Sequence, residues 1–140
     1  RVFNKENMTD DHVMKYMNCT LLEGTFSLSM ITNTSTSEED FISFPNLVEI
    51  TGYLLVFNVR SLTTLSRIFP NLRVIGGSTL IMNYALIIYQ NADLRDIGLP
   101  NLRVIRQGGV RISDNPSLCY AVNIDWKRIL FGQIDDVLVV

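Results

Sequence analysis

The chain has 140 residues, of which 47% are hydrophobic, and its formal net charge is -2 at pH 7. A chain of this length forms one domain with a real core, so we expect a single domain over residues 1–140. No basic stripe stands out, which gives nucleic-acid binding little support. No apolar run approaches the length of a membrane span, and no signal peptide is evident at Arg1.

The N-terminal segment predicts a helix at residues 9–17. Thr9 or Asp10 is placed to accept the amides of the first turn, and the acidic pair of Asp10 and Asp11 favours the positive helix end. The apolar residues that follow form one stripe. We expect that stripe to cover one end of the domain.

The first strand signal is Phe26-Ser27-Leu28-Ser29-Met30, in which apolar and polar side chains alternate. Such alternation is typical of a half-buried strand. Residues 32–40 are polar and rich in Ser and Thr, which predicts a loop.

The phrase Pro-Asn-Leu-x-x-Ile occurs three times, starting at Pro45, Pro70 and Pro100. These intervals have the length of solenoid repeats. Proline suits a bend between strands, the following Asn can bond nearby backbone, and the Leu and Ile point into the coil. Leu22-Glu23-Gly24 matches Ile50-Thr51-Gly52, so a fourth, degenerate copy is present. The pattern predicts a mostly β solenoid with coils over residues 22–113.

The later coils are assigned in the same way. Each repeat leads into a predicted strand, with β-type runs at Leu54–Phe57, Ile75–Met82 and Gly109–Ser113. The apolar run Tyr84–Tyr89 is interpreted as another face of its coil. Asn123 or Asp125 then caps a short helix at residues 125–131.

Alternation also predicts which side chains lie on the outer side of the main sheet. The apolar run Leu80-Ile81-Met82 leaves the middle coil ambiguous. The expected outer set is Ser27, Ser29, Leu55, Phe57, Leu80, Met82, Arg111 and Ser113. An apolar centre with a polar rim is typical of an interface, although another part of the same protein could cover it.

Catalytic and metal-binding patterns are absent from the sequence. His12 is the only histidine, and two distant cysteines make no zinc site. No GxSxG, P-loop or dinucleotide motif occurs. Some parallel β-helices cleave acidic polysaccharides with acids and bases clustered on one face, but the corresponding positions here are Leu, Phe, Met and Ser. We therefore expect no cofactor, no metal and no catalysis by this chain.

Three N-x-S/T sequons start at Asn7, Asn18 and Asn33. Their clustering favours a secreted glycoprotein over coincidence, and a secreted protein tolerates disulfides. Cys19 and Cys119 would lie near opposite ends of a solenoid, too far apart to pair with each other. Each is expected to pair with a cysteine outside this chain.

Several stretches resemble the first leucine-rich (L1) domain of the insulin and insulin-like growth factor receptor family. The resemblance runs from about Asn18 to Val140. Its most specific parts are Asn18-Cys19 with Glu23-Gly24, Phe44-Pro45 with Tyr53-Leu54-Leu55-Val56-Phe57, Phe69-Pro70-Asn71-Leu72 with Asn83-Tyr84-Ala85-Leu86, and Leu118-Cys119-Tyr120 with Asp125-Trp126 and Arg128-Ile129-Leu130. The resemblance implies a right-handed single-stranded β-helix with short capping helices.

The resemblance also implies partners. In that family, one sheet face of this domain holds the C-terminal helix of the receptor α-chain, and an insulin-like peptide hormone docks on both. It further implies a neighbouring cysteine-rich domain, a homodimeric receptor with a tyrosine kinase elsewhere, and a location outside the plasma membrane or in secreted form. Carried over by position, the ligand-binding residues would be Ser27, Ser29, Met30, Leu55, Phe57, Leu80, Ile81, Met82, Asn83, Tyr84, Gln90, Arg111, Ser113 and Asp114.

The match at these positions is uneven. The residues that keep the family's type are Leu55, Phe57, Leu80, Asn83, Tyr84 and Arg111. Those that depart from it are Ser27, Ser29, Ile81, Met82, Gln90, Ser113 and Asp114. The apolar centre therefore persists while the rim differs, which indicates a divergent, invertebrate-type receptor with its own peptide ligands. A decoy receptor without a kinase, or an L domain whose face is permanently covered, are the alternatives.

Overall fold

The computed structural model describes residues 17–33, 35–119, 124–131 and 137–139. The helix predicted at residues 9–17 lies outside this part of the chain, apart from Met17. The described strands are β1 (Leu21–Leu22), β2 (Phe26–Ile31), β3 (Glu49–Ile50), β4 (Leu54–Val59), β5 (Val74–Ile75), β6 (Tyr84–Tyr89), β7 (Val104–Ile105), β8 (Gly109–Ser113) and β9 (Val137–Val139). Helical segments are short: 3-10 turns at Glu38–Asp40 and Leu65–Arg67, and helix α1 at Trp126–Ile129.

The strands pair in parallel as two sheets on different sides of the coil. One sheet has the order β1-β3-β5-β7, and the other, called the main sheet below, has the order β2-β4-β6-β8-β9. Each turn of the chain thus adds one strand to each sheet, and about four turns are stacked. The mostly β solenoid predicted from the repeats is confirmed.

The repeated apolar residues form the core as rungs between coils. Leu47, Leu72 and Leu102 are all buried, and the Ile that follows each of them is fully buried. At the N-terminal end, the ring of Phe26 packs edge-on against Phe44 and Phe69, with centroids 5.4 and 4.8 Å away. Because each coil rests its apolar residues on the next, the sheet on the outside is supported throughout its width.

The asparagine of each repeat joins neighbouring coils. Asn71 Nδ2 donates to the Pro45 carbonyl at 2.7 Å, and Asn101 Nδ2 donates to the Pro70 carbonyl at 2.9 Å. Proline supplies a carbonyl but no amide hydrogen at this corner, so the side-chain amide of the next coil provides a donor there. The motif therefore sets the stacking of coils as well as the bend.

A second, buried asparagine pair lies beyond the ends of β6 and β8. Asn91 Oδ1 accepts from the Val59 amide at 3.0 Å, and Asn91 Nδ2 donates to the Val56 carbonyl at 3.0 Å. Asn115 Oδ1 accepts from the same Nδ2, also at 3.0 Å. These side chains satisfy backbone groups where the ladder of the main sheet stops.

The strand predicted at Ile75–Met82 is wrong beyond Ile75, which ends β5. The third strand of the main sheet is β6, Tyr84–Tyr89, and it pairs in register with β4. The preceding residues form a tight turn in which Ile81 and Tyr84 exchange backbone hydrogen bonds of 3.1 and 2.7 Å. Met82 and Asn83 have φ of 49° and 72° there. The apolar residues on both sides of this turn show no distinct alternation. Only the pairing with neighbouring coils therefore decides which run forms the third strand of the main sheet.

The helix predicted at residues 125–131 is present but shorter. Helix α1 covers Trp126–Ile129, and the Leu130 amide donates to the Trp126 carbonyl at 2.9 Å. Leu130 itself has extended backbone and forms a parallel bridge with Ile105. The chain therefore leaves the helix to rejoin the stack of coils.

We expect Gly77→Ala to lower the free energy of unfolding by about 1–2 kcal/mol from backbone conformation alone. Gly77 has a φ of 68°, and a Cβ there would overlap the backbone carbonyl oxygen of Gln107 in the next coil. Chemical denaturation measures the loss, with Ser78→Ala, at the exposed neighbouring position, as the matched control. An unchanged unfolding midpoint for Gly77→Ala would contradict this account of the corner.

Candidate functional site

The outer side of the main sheet carries two rows of side chains, which together we call the outer face. In the first row the register aligns Ser27, Leu55, Ile87, Arg111 and Leu138. In the second row it aligns Ser29, Phe57, Tyr89 and Ser113. Residues alternating with these rows, such as Leu54, Val56 and Ile88, are fully buried. The side chains of β2, β4 and β8 that alternation predicts to face outward are therefore the ones that the register aligns in these rows.

The centre of the outer face is an aromatic pair. The rings of Phe57 and Tyr89 lie in neighbouring strands with centroids 5.6 Å apart and planes only 12° from parallel. Parallel strands hold equivalent residues about 4.8 Å apart, so stacking follows directly from the register. Leu55 lies beside Phe57 in the adjacent row and is likewise half-buried. The result is a firm apolar platform that is open to contact.

The positively charged side chain of Arg111 borders this platform. The guanidinium carbon of Arg111 lies 4.8 Å from the centre of the Tyr89 ring. Its Nε donates to Ser113 Oγ at 3.2 Å. The ring and the hydroxyl hold the guanidinium in place, and neither neutralises its charge. An arginine fixed in this way is suited to pair with a carboxylate brought by a partner.

Sequence reasoning missed three members of the rows, Ile87, Tyr89 and Leu138. Leu138 lies on β9, whereas Ile87 and Tyr89 belong to β6, which had been assigned to another face of the coil. Ile87 is only 6% exposed, although its register places it between Leu55 and Arg111. One signal was available in the sequence: Asn91 follows the run ending at Tyr89, just as Asn115 follows the strand ending at Ser113.

The predicted site residues before β6 lie on a turn rather than in the rows. Leu80 is half-buried and packs against the hydrophobic core. Met82 is 74% exposed at the tip of the turn, and Asn83 beside it is also exposed. Ile81 and Tyr84 form the base of the turn. These residues make a projection at the edge where β6 begins.

The opposite edge is a corner at which the strands end. Four residues there share a left-handed backbone: Met30, Asn58, Gln90 and Asp114, with φ of 58°, 52°, 56° and 58°. Met30 is bound by the side-chain amide of Asn58, whose Nδ2 donates to its sulfur at 3.5 Å, and Gln90 Nε2 donates to the Tyr89 hydroxyl at 3.1 Å. Polar side chains therefore edge the aromatic pair. Asn58 was absent from the sequence-based set.

Small residues lie at the β2 end of both rows and at the β8 end of the second row, whereas the first row continues to Leu138 on β9. Ser27 and Ser113 are each 5% exposed, and Ser29 is half-buried. The bulk of the outer face is thus concentrated on the two middle coils. Of the predicted ligand-binding positions, the structure brings together those on β2, β4 and β8 with the corner residues, while those at 80–84 form the separate projection.

The predicted modification and disulfide residues lie away from the aromatic pair. Asn18 and Asn33 are exposed, whereas Asn7 falls outside the described residues. Cys19 is half-buried and Cys119 exposed, and both are free thiols here. Their pairing with cysteines elsewhere stays a prediction.

Two kinds of feature are absent from the described residues. No cluster of three or more His, Cys, Asp or Glu able to hold a metal ion was found within them. Nor does that part of the chain contain a helix both long and apolar enough to cross a membrane.

Comparison with known proteins defines the class to which this fold and face belong. The receptor L domain family matches residues 18–130, and the chain belongs to that family. Its relatives specify the branch, because they are receptors of the insulin family. The solenoid described above is therefore a receptor L domain of the insulin-receptor kind.

Three relatives illustrate the similarity. The chain is 50% identical to the insulin-like receptor of Caenorhabditis elegans over 139 residues, which is 89% of this chain and 8% of that protein. It is 46% identical to the Drosophila melanogaster insulin-like receptor, over 85% of this chain and 5% of that protein. It is 44% identical to the Xenopus laevis insulin-like growth factor 1 receptor, over 86% of this chain and 9% of that protein. The chain thus spans less than a tenth of these relatives.

Proposed function

We propose that this chain is an extracellular ligand-binding domain of an insulin-like receptor. It binds an insulin-like peptide together with the C-terminal helix of the receptor α-chain, and both lie on or beside the outer face. The observation that carries this proposal is the stacked pair of Phe57 and Tyr89 on an exposed sheet. Relatives named as receptors for insulin-like ligands support the same function.

The helix would rest on the centre of the outer face. Leu55 and Phe57 were chosen for this contact by alternation, and Tyr89 joins them by register. Each large apolar side chain that a partner covers fully contributes roughly 1.5–3 kcal/mol. Stacked rings lose little conformational freedom on binding, because Phe57 and Tyr89 already restrain each other.

The peptide would touch the helix and the rim of the face. The projection with Met82 and Asn83 lies on one side of the rows, and the corner with Met30, Gln90 and Asp114 lies on the other. Among these rim positions, Met82, Gln90 and Asp114 depart from the family pattern. They are therefore the positions at which we expect ligand preference to be set.

Arg111 would supply the main charged contact. Its guanidinium has no carboxylate partner among the described residues, and the ring of Tyr89 holds it toward the face. A carboxylate on the helix would form a charge-assisted bond there. Such a contact fixes the register of the helix along the sheet in addition to any affinity it contributes.

The remaining assignments concern the whole protein. We infer a single-pass receptor with a kinase beyond this chain, a neighbouring cysteine-rich domain, and a homodimeric assembly at the cell surface. The identity of relatives over most of this chain supports these inferences. They follow from the family and not from any contact within the described residues.

A calorimetric titration tests the binding proposal. The glycosylated domain is titrated with candidate insulin-like peptides, in the presence and absence of the receptor's own α-chain helix. We expect heat on addition of the helix and tighter peptide binding in its presence. Absence of heat with either ligand would contradict the proposal and favour an L domain with a structural role.

A further inference from the structure

We infer that Asn33 carries an N-linked glycan, and that this glycan covers the polar side of the solenoid while leaving the outer face free. The inference rests on the extracellular location proposed above. Asn33 and Ser35 form a sequon, and both are exposed. They lie beyond β2, just after the chain turns the corner at Met30.

The geometry of the sequon fits an acceptor site. Ser35 Oγ donates to Asn33 Oδ1 at 2.9 Å, and the Ser35 amide donates to the same oxygen at 3.0 Å. The Thr36 amide closes the turn by donating to the Asn33 carbonyl at 3.1 Å. Within the described residues the Asn33 Nδ2 makes no hydrogen bond. The Ser35 hydroxyl, which defines the sequon, is therefore already hydrogen-bonded to the side-chain amide of Asn33. The nitrogen of that amide remains available to receive the glycan.

Attachment of the glycan to Asn33 forms one bond to the sugar and breaks another. A bond forms between Asn33 Nδ2 and the anomeric carbon of the first sugar. The bond from that carbon to the pyrophosphate of a lipid-linked oligosaccharide donor breaks. One amide proton is released, and the lipid pyrophosphate leaves with the bonding electrons, so nothing is oxidised or reduced.

The side of the solenoid that bears Asn33 is polar in every coil. We call it the polar flank, and it comprises Asn33, Ser61, Thr63, Asp93 and Ser117. Its residues bond from coil to coil: Ser61 Oγ donates to the Thr36 carbonyl at 2.7 Å, and the Ser61 amide donates to Asp93 Oδ2 at 2.8 Å. Ser117 Oγ donates to the Ala92 carbonyl at 2.9 Å. Hydrogen bonds between coils therefore join Ser61, Asp93 and Ser117 of the polar flank to their neighbours, and none of the five flank residues is apolar.

A hydrated oligosaccharide suits such a surface, whereas an apolar partner does not. The outer face lies around the corner, with Ile31 buried between Met30 and the sequon. A glycan on Asn33 would consequently keep proteins off the polar flank without covering Phe57 and Tyr89. A partner of the outer face then has to extend past the other edge, toward the turn at Met82.

Peptide mapping by mass spectrometry tests the modification. The chain is secreted from eukaryotic cells and digested before and after treatment with the amidase that converts glycosylated Asn to Asp. We expect the Asn33 peptide to be glycosylated, Asn33→Gln to lose the glycan, and Ser35→Thr to keep it. Asn46→Gln, at an exposed asparagine outside any sequon, is the matched control. An unmodified Asn33 in secreted protein overturns the inference, whatever the state of Asn18.

A second measurement tests the direction of the glycan. Helix and peptide are titrated into the domain before and after enzymatic removal of sugar from a variant that carries Asn7→Gln and Asn18→Gln, so that Asn33 is the remaining sequon. We expect dissociation constants that agree within about twofold, since the glycan lies off the outer face. A gain of about tenfold on removal would place the glycan over the face and overturn the assignment. If neither form binds, the proposed function fails, while peptide mapping still decides whether Asn33 is modified.

Discussion

Replacing both Leu55 and Phe57 by alanine is expected to weaken binding of the α-chain helix by more than about a hundredfold while the domain stays folded. Each side chain removed forfeits roughly 1.5–3 kcal/mol of partner burial, and every 1.4 kcal/mol is a tenfold change. Phe57 also restrains the Tyr89 ring, so its loss leaves the remaining aromatic less ordered. Calorimetry of the variant against wild type measures the effect.

Two variants make this result interpretable. Val74→Ala removes a half-buried apolar side chain next to buried Ile75 on the other sheet, and its binding should match wild type within about twofold. Tyr89→Phe keeps the stacked ring and removes only the hydroxyl that accepts from Gln90, so it should bind nearly normally. If Phe57→Ala alone unfolds the domain, Phe57 is a core residue and the outer face has been assigned incorrectly.

Asn91→Ala is expected to lower the free energy of unfolding by about 2–4 kcal/mol. The substitution leaves the Val59 amide and the Val56 carbonyl without partners in a region that excludes water. An unsatisfied buried group costs about 1–3 kcal/mol, and two are created here. Denaturant unfolding monitored by circular dichroism measures the loss.

The comparison that isolates burial is Asn71→Ala. Asn71 also donates from its side chain to the carbonyl of the preceding coil, but it is exposed. Water can replace the lost bond there, so the expected cost is about 0.5–1 kcal/mol. Equal losses for the two variants would show that the buried pair has no special role in holding the coils together.

Much of this fold was predictable because its main determinant is periodic and local. Pro45, Pro70 and Pro100 each mark a corner, and the Leu and Ile that follow each proline are buried as predicted. The proline restricts the backbone whatever lies around it, and apolar residues at repeating positions have only the neighbouring coils to pack against. The match of Leu22 to Ile50 was likewise confirmed by the pairing of β1 with β3.

The third coil was not predictable from local pattern. Two apolar runs follow Gly77, and either has the composition of a strand, so the choice depends on hydrogen bonds to β4 and β8 that a single sequence does not display. The error left Ile87 and Tyr89 off the predicted outer face. The outward-facing side chains of β2, β4 and β8 were predicted correctly. Either strict alternation of apolar and polar residues, or a position directly after the Ile and glycine of a repeat, determines which side chains of these strands point outward.

A sheet with one strand per coil presents its side chains at a regular spacing to any segment that lies across it. Equivalent positions on neighbouring strands recur about every 4.8 Å, and a turn of α-helix advances about 5.4 Å. A helix laid across the strands would therefore present one side chain, at i, i+3 or i+4, and i+7, to each successive coil. The two spacings drift apart by about 0.6 Å per coil, so only three or four coils stay in phase before the helix must tilt. The bulk concentrated on the two middle coils lies where the mismatch is smallest.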